Sequence, residues 1–535
     1  MAGRIALLGI AIVGGAWMAW QVAAGGHGTI APSASVEGVV VNVAGEIVGG
    51  AVVRQQTTDN ATIGAADGTF TLGGLPEGVT VTVTAWDEGY YPAGVQVVPP
   101  RSGITITLRP HPVGDNPDHE WYTSMPDPEA PIGCGHCMVA FPQWVTNAHG
   151  TAGANPRFFS LYNGTDLTGT RHLGGGYKDD FPGTAGNCAT CHAPGAATDD
   201  RAFTTDMNEL TGVEREGVFC DFCHKVSDVY LDPATGLPYD NAPGVTSMRL
   251  NRPPSDTHMF YGPFDDVTRR VSYLALEKKS QFCAPCHQFS FWGTPIYESF
   301  REWLESPYPA RGIECQTCHM APTGVDYFVY PENGGLIRDP ASIASHLQPG
   351  AADQELLQNT VTMTVHARQA GDRVRVTTII TNTEAGHHVP TDFPGRHMIL
   401  TLAAIDDEGN PLAQLSGPTV PDWGGPQAGL PGRAFAKVLR DVESGDAPVM
   451  TYWKQAIIIS DNRIPALESD ASTVTFVSPG AGERITVTAR LRFRRAFQEA
   501  MDARGWDTPD VLMEERTVSL VLQPRWDLFL PVVLR

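Results

Sequence analysis

Glu216-Gly217-Val218-Phe219-Cys220-Asp221-Phe222-Cys223-His224 ends in Cys-x-x-Cys-His, and that five-residue pattern occurs three more times in the chain. The other copies are Cys188-Ala189-Thr190-Cys191-His192, Cys283-Ala284-Pro285-Cys286-His287 and Cys315-Gln316-Thr317-Cys318-His319. Two thiols at this spacing with histidine next to the second form the attachment signal for haem c. The thiols bond the porphyrin vinyls and the histidine becomes an axial iron ligand. Zinc also uses Cys-x-x-Cys half-sites but does not ask for the adjacent histidine. Histidine is 16 of 535 residues, so four such adjacencies by chance have odds on the order of a few per million. The sequence therefore predicts four covalent haem c groups.

Cys134-Gly135-His136-Cys137 completes the ten cysteines and departs from the rule, with Met138 where the histidine should stand. Two readings are open. The site holds a fifth haem with Met138 or the internal His136 on iron, and a thioether ligand would raise its reduction potential. Alternatively it is a haem site that lost its ligand and closed as a disulfide, since paired free thiols rarely persist outside the cytosol.

Working outward, 535 residues exceed one hydrophobic core, which predicts about two to four domains. The balance of 37 basic against 59 acidic residues gives a net charge of −22. That disfavours nucleic acid and suits a basic redox partner. At the N-terminus Arg4 precedes an apolar run, Ile5 to Ala24, and the next charge is Glu37. Val22-Ala23-Ala24 fits a small-residue cleavage site, so residues 1–30 read as a secretory signal peptide or a retained N-terminal anchor. Either predicts an exported protein, periplasmic, extracellular or at the cell surface.

The fold class expected is multidomain α+β: an N-terminal β-sandwich, a haem-packed, mostly helical or irregular domain, and a C-terminal β-sandwich. Residues 34–111 alternate apolar and polar side chains at Val79 to Thr84 and Ile104 to Leu108, the period of half-buried strands. Gly38-Val39-Val40-Val41, Ala66-Asp67-Gly68-Thr69-Phe70 and Gly89-Tyr90 resemble the carboxypeptidase-regulatory-like β-sandwich, which implies a spacer or docking module. Residues 112–350 lose the alternation and hold every cysteine. Here the porphyrins are expected to form the core, and Tyr297, Phe300, Trp303 and Leu304 fall on one helical face. Strands return over 351–523, with a short tail at 524–535.

Twelve histidines remain after the four motif histidines. The span from 130 to about 400 resembles multihaem cytochromes of the cytochrome c554 type. The matching features are Cys-x-x-Cys followed by Trp144 to His149, Glu216 to His224, Phe282 to His287, Glu302-Trp303, Cys315 to Met320 and Gly386-His387-His388-Val389-Pro390-Thr391. That resemblance implies His149, His258, His346 and His387 as distal ligands, opposite His192, His224, His287 and His319. Met138 is the departure, because the family carries histidine there. Ligation by His387 would lock the C-terminal sandwich onto the haem domain.

Two functions stand side by side. Haems with two histidines on each iron are coordinatively full and relay electrons between redox partners, with the β-domains positioning the relay in a homo-oligomer or filament. The alternative is a multihaem oxidoreductase of small nitrogen or sulfur compounds, its atypical haem at Cys134/Cys137. The layout is similar to the pentahaem nitrite reductases, whose catalytic haem has lysine in the odd slot. Arg157, His172 and Tyr177 are near in sequence as donors for such a site. No Walker A or Gly-x-Ser-x-Gly sequence occurs, and His119-Glu120 lacks a second zinc-protease histidine. Asp179-Asp180, Asp265-Asp266 and Asp406-Asp407 read as solvated turns.

Overall fold

Alternating side chains build two sheets at the N-terminal end of the computed structural model. It describes residues 33–125, 134, 137–255, 257–480 and 482–523. The leader at 1–30, His136 and the tail at 524–535 lie outside the described residues. One four-stranded sheet runs in the order Thr69–Pro76, Ser33–Asn42, Arg101–Pro110, Tyr90–Tyr91. The other runs Ala61–Ile63, Val52–Gln55, Val81–Trp86, Ala93–Val97. Val36, Val40, Leu72 and Ile106 from the first meet Val53 and Val83 from the second in one core. Every second residue points inward, so a one-residue slip would turn this core to solvent.

Of the two alternatives expected for residues 112–350, helical or irregular, the chain there is largely irregular. Among the described residues the longest α-helix there, Pro156–Asn163, has 8 residues, and the others are one or two turns. Two-stranded ribbons such as Phe289–Phe291 with Thr294–Tyr297 fill the gaps. The short helix Ser299–Leu304 buries Phe300 and Trp303, whereas Tyr297 belongs to the strand before it. Short helices follow from the motif. Cys, Cys and His at i, i+3 and i+4 share one helical face, and a single turn presents all three.

The C-terminal sheets are antiparallel. The order is Val361–Ala370, Arg373–Asn382, Ser469–Val477, Gln414–Ser416 in one. It is Ala456–Asp461, Gly432–Asp441, His397–Ile405, Arg484–Arg494, Val511–Val521 in the other. Met363, Val376 and Phe476 pack against Leu400, Phe435 and Leu491 between them.

Both sheet pairs are tied to the middle region by charge. Arg54 forms a two-pronged pair with Asp265 at 2.8 and 2.9 Å. Asp266 accepts from Thr57 N at 2.7 Å and pairs with the buried Arg338. Asp265-Asp266 is therefore not a solvated turn. It is the joint on which the N-terminal sheets dock, and Tyr91 Oη extends that joint to the His258 carbonyl at 2.9 Å. Asp180 also leaves the solvated class, accepting from Trp453 Nε1 at 2.7 Å. On the other side Glu302 accepts from His388 N at 3.1 Å, Thr391 Oγ1 at 2.6 Å and Arg463 Nη1 at 2.6 Å. These contacts fix the His387-His388 segment against the helix that follows the third motif.

Candidate haem-binding site

Each of the four motifs forms a single helical turn: Ala189–His192, Cys220–Cys223, Ala284–His287 and Cys315–His319. The His192, His224 and His287 amides donate back to the first cysteine of their own motif at 3.0 to 3.1 Å. The turn thus points two thiols and an imidazole the same way. No two of the ten cysteines are joined as a disulfide. Eight of them, at Cys134/Cys137, Cys188/Cys191, Cys220/Cys223 and Cys283/Cys286, line one cavity of about 2190 Å³. The Cys315/Cys318 turn reaches its wall through Gln316, Thr317 and Met320. A pocket for one drug-sized ligand holds roughly 300–1,000 Å³, so this space suits several large planar groups. Its aromatic lining includes Phe141, Trp144, Phe219, Phe222 and Phe282.

The motifs touch one another in a defined order. Cys134 adjoins Cys220, Cys191 adjoins Cys286, and Cys283 adjoins Cys315. Cys283 and Cys286 also feel Cys223 electrostatically. Cys220/Cys223 and Cys283/Cys286 are therefore central, Cys134/Cys137 adjoins the former, and Cys188/Cys191 and Cys315/Cys318 adjoin the latter.

Two histidine pairs carry the geometry of an iron site. The rings of His149 and His287 are centred 6.2 Å apart and stand 85° to each other. Those of His319 and His387 are 6.3 Å apart and nearly parallel, at 14°. Two imidazoles trans across a metal, each bonded at about 2.0 Å, hold their ring centres roughly 6.3 Å apart. Outer partners occupy the Nδ1 atoms, which leaves Nε2 as the ligand atom. His149 Nδ1 lies 2.6 Å from Gln348 Oε1, and His287 Nδ1 lies 3.6 Å from Asp392. His319 Nδ1 lies 2.7 Å from the Pro349 carbonyl, and His387 Nδ1 lies 2.9 Å from the His388 carbonyl. Such partners fix the tautomer of a metal-binding histidine.

Burial keeps several of these rings neutral, the form that binds metal. Burial and the neighbouring His387 push His319 down to about 4, and burial with His149 does the same to His192. His346 is likewise lowered to about 4 by burial and by His224, which places these two rings in the same neighbourhood. Its Nδ1 is buried without a hydrogen-bond partner, as is that of His258. His224 moves the other way, to about 9. Burial opposes its charge, but Glu277 at 3.3 Å outweighs it, while Nδ1 is directed at the Tyr261 carbonyl at 2.8 Å.

The residues present fit haem c: paired thiols on one face, opposed imidazoles at metal-spanning distance, and an aromatic cavity. Cys188, Cys191, Cys220, Cys223, Cys283, Cys286, Cys315 and Cys318 would hold the porphyrins, with His192, His224, His287 and His319 on iron.

No family model and no curated protein matches the chain. Among solved structures, a penta-heme cytochrome c552 from Thermochromatium tepidum superposes with a TM-score of 0.54 at 20% identity. The match covers 74% of this chain and 100% of that one. The chain has the fold of a multihaem cytochrome c. A human PapD-like domain covers 32% of this chain and 89% of its own, at 8% identity and a TM-score of 0.14. A family 123 glycoside hydrolase from Clostridium perfringens covers 31% and 28%, also at 8% and 0.14. Both are too distant to carry an argument.

Of the residues expected to bind iron, Met138 is not brought to the cavity. It is 46% exposed and absent from the lining, because Met138 and Val139 form a surface turn ahead of the helix Ala140–Trp144. His149, His258 and His346 line the cavity, and His387 faces His319. Arg157 and Tyr177 line it too, whereas His172 is exposed. Gln348, Glu277 and Asp392 escaped the sequence reading. Asp392 follows Gly386 to Thr391 directly, so that motif could have been read one residue further.

Proposed function

We propose that this chain is an exported multihaem c-type cytochrome that relays electrons between redox partners. The observation that carries this reading is the opposition of His149 to His287 and of His319 to His387 at metal-spanning distance. Irons closed on both faces exchange electrons without taking a substrate. Bound haem would supply one-electron iron chemistry. The protein's own residues attach, orient and dry it: thiols from one face of each turn, imidazoles held by Gln348, Asp392 and carbonyls, and an aromatic wall.

The contact order of the motifs supports a continuous path, running from Cys134/Cys137 through Cys220/Cys223 to Cys283/Cys286 and branching to the other two. A fifth haem at Cys134/Cys137 is part of this proposal, because those thiols share the cavity and Cys134 adjoins Cys220. The Thermochromatium tepidum cytochrome is a penta-heme protein. With Met138 exposed, the orphaned His258 is the better ligand for that iron. The resemblance to cytochrome c554 types over 130–400 and to carboxypeptidase-regulatory-like domains over 34–111 belongs to the same reading. So do a haem domain at 112–350, a ligand-supplying sandwich at 351–523 and an N-terminal export signal. A net charge of −22 favours a basic redox partner.

Intact mass of the matured protein with its haem-to-protein ratio tests the proposal. Five covalent haems are expected, and fewer than four would sink it.

A further inference from the structure

His346-Leu347-Gln348-Pro349 is a stretch without helix or strand, and its four residues meet the histidines of three motif sites. His346 itself lines the cavity in the neighbourhood of His224. Gln348 Oε1 lies 2.6 Å from Nδ1 of His149, the ring opposed to His287. The Pro349 carbonyl lies 2.7 Å from Nδ1 of His319, the ring opposed to His387. Neither oxygen can donate, so each imidazole carries its proton on Nδ1 to make the bond. That tautomer leaves Nε2 as the ligand atom in both.

Amide side chains hold this stretch in place. Asn147, 9% exposed, donates through Nδ2 to the His346 carbonyl at 2.6 Å and to Gln348 Oε1 at 2.9 Å. Its Oδ1 accepts from the His149 and Gly150 amides at 2.8 and 3.0 Å. One side chain therefore bonds the backbone of both His149 and His346. Gln143, in the helix Ala140–Trp144, accepts from the His346 amide at 2.7 Å. The Ser345 amide donates to the carbonyl of Met320, the residue after His319.

Gln348 adopts φ +44, a left-handed conformation that side-chain-bearing residues rarely take. Such strain persists only where the surroundings over-determine it. Two duties supply the constraint here: the side chain turns to His149 while the next carbonyl turns to His319. The imidazoles of the first pair are also backed by different charges. Asp392 behind His287 is a carboxylate, and Gln348 behind His149 is a neutral amide.

We propose that Gln348 is a positioning residue shared by two haem sites. Its amide sets the donor strength of His149 at the Cys283/Cys286 site. Its left-handed backbone aims the Pro349 carbonyl at His319, at the Cys315/Cys318 site. The inference rests on the haem reading above and deepens it, because one residue then governs the potentials of two adjacent relay sites. An acceptor behind an axial imidazole makes that ligand more electron-donating and stabilises oxidised iron. Deleting the acceptor raises the potential and replacing it with an anion lowers it. The effect on His319 follows the backbone instead.

The test is potentiometry of the fully matured protein, followed by electron paramagnetic resonance. Near-perpendicular imidazole planes give a strongly axial low-spin signal and parallel planes a rhombic one, which separates the 85° pair from the 14° pair. His149→Ala and His387→Ala, each deleting one of these signals, assign them. Gln348→Gly keeps φ +44 at no steric cost and deletes the amide. It should raise the midpoint of the His149 signal by about 60 mV, tenfold for one electron, and leave the His387 signal in place. Gln348→Glu should lower the first midpoint by a similar amount. Gln348→Val, whose branched Cβ resists the left-handed region, should move both. The proposal is overturned if the Gly and Glu variants shift the His149 midpoint in one direction or not at all. It is equally overturned if the Gly variant moves both signals alike, or if the Val variant spares the His387 signal. A His149→Ala protein that loses no low-spin signal would instead defeat the pairing of His149 with His287, and the haem reading at that site.

Discussion

The carboxylate of Asp392 lies 3.6 Å from Nδ1 of His287, joining the C-terminal sheets to the back of a motif histidine in the middle region. Burial alone would raise its pKa, yet His287 holds it well below the usual carboxylate range. His287 is raised in turn, because Asp392 outweighs the burial that would lower it. Charge behind an axial imidazole makes that ligand more basic and stabilises oxidised iron.

Asp392→Asn should therefore raise the reduction potential of the haem at Cys283/Cys286. A shift of about 60 mV, one tenfold step for a one-electron couple, is the expected size. Spectroelectrochemical titration of parent and variant measures it, and an unmoved set of potentials would remove Asp392 from any tuning role.

His387→Ala should open the iron held by His319 and turn one low-spin haem high-spin. His388 is a poor replacement: its amide donates to Glu302 at 3.1 Å and its ring nitrogen lies 3.6 Å from the same carboxylate. Loss of one low-spin signal by electron paramagnetic resonance checks this. An unchanged spectrum would mean that the 6.3 Å pairing with His319 is packing alone.

These residues show how far the sequence could be read. The motif cysteines and histidines were legible because thiols and ligand sit within five residues, where spacing alone sets their common face. The opposed histidines His149 and His387 were nominated by resemblance, but which motif each serves depends on contacts 68 to 138 residues away in the chain. No local period records such pairings. Met138 misled because adjacency to Cys137 says nothing of whether a surface turn intervenes. Asp266 misled for a similar reason: an Asp-Asp pair in a polar stretch looks solvated until Arg338 and Thr57, both distant in sequence, close over it. Strand alternation was the better guide at both ends of the chain. The helix expected from Tyr297 shrank to Ser299–Leu304, because residues 294–297 pair with Phe289–Phe291 instead.

Arg463→Met should cost roughly 3–5 kcal/mol, the usual penalty for stripping the partner from a buried charge. Arg463 and Glu302 are 3% and 4% exposed and meet at 2.6 Å, and Asp461 completes the pair at 2.7 Å. Glu302 also holds Thr391 and the His388 amide. The destabilisation should therefore be accompanied by easier proteolysis around 386–392. Thermal melting and limited digestion read the two effects. A melting point within a degree of the parent would show that this joint contributes nothing to stability.

Gly244→Ala should selectively reduce haem attachment at Cys191. Gly244 has φ +57, a left-handed conformation that side-chain-bearing residues rarely adopt. A Cβ there would stand 2.2 Å from the Thr190 carbonyl oxygen and 2.8 Å from Cys191 Sγ. Neither is the free end of a flexible side chain: one is backbone within the motif's own turn, and the other must reach a porphyrin vinyl. The chain at 244 therefore approaches the Cys188–His192 motif as closely as a bare backbone can. Any added carbon must displace the thiol or the turn that presents it. Gly212, also left-handed at φ +53 but with nothing within 4 Å of an added Cβ, supplies the control. Gly212→Ala carries comparable backbone strain and should keep every haem. Intact mass separates the two, and a full haem complement in Gly244→Ala would mean that Cys191 can move aside to accept it.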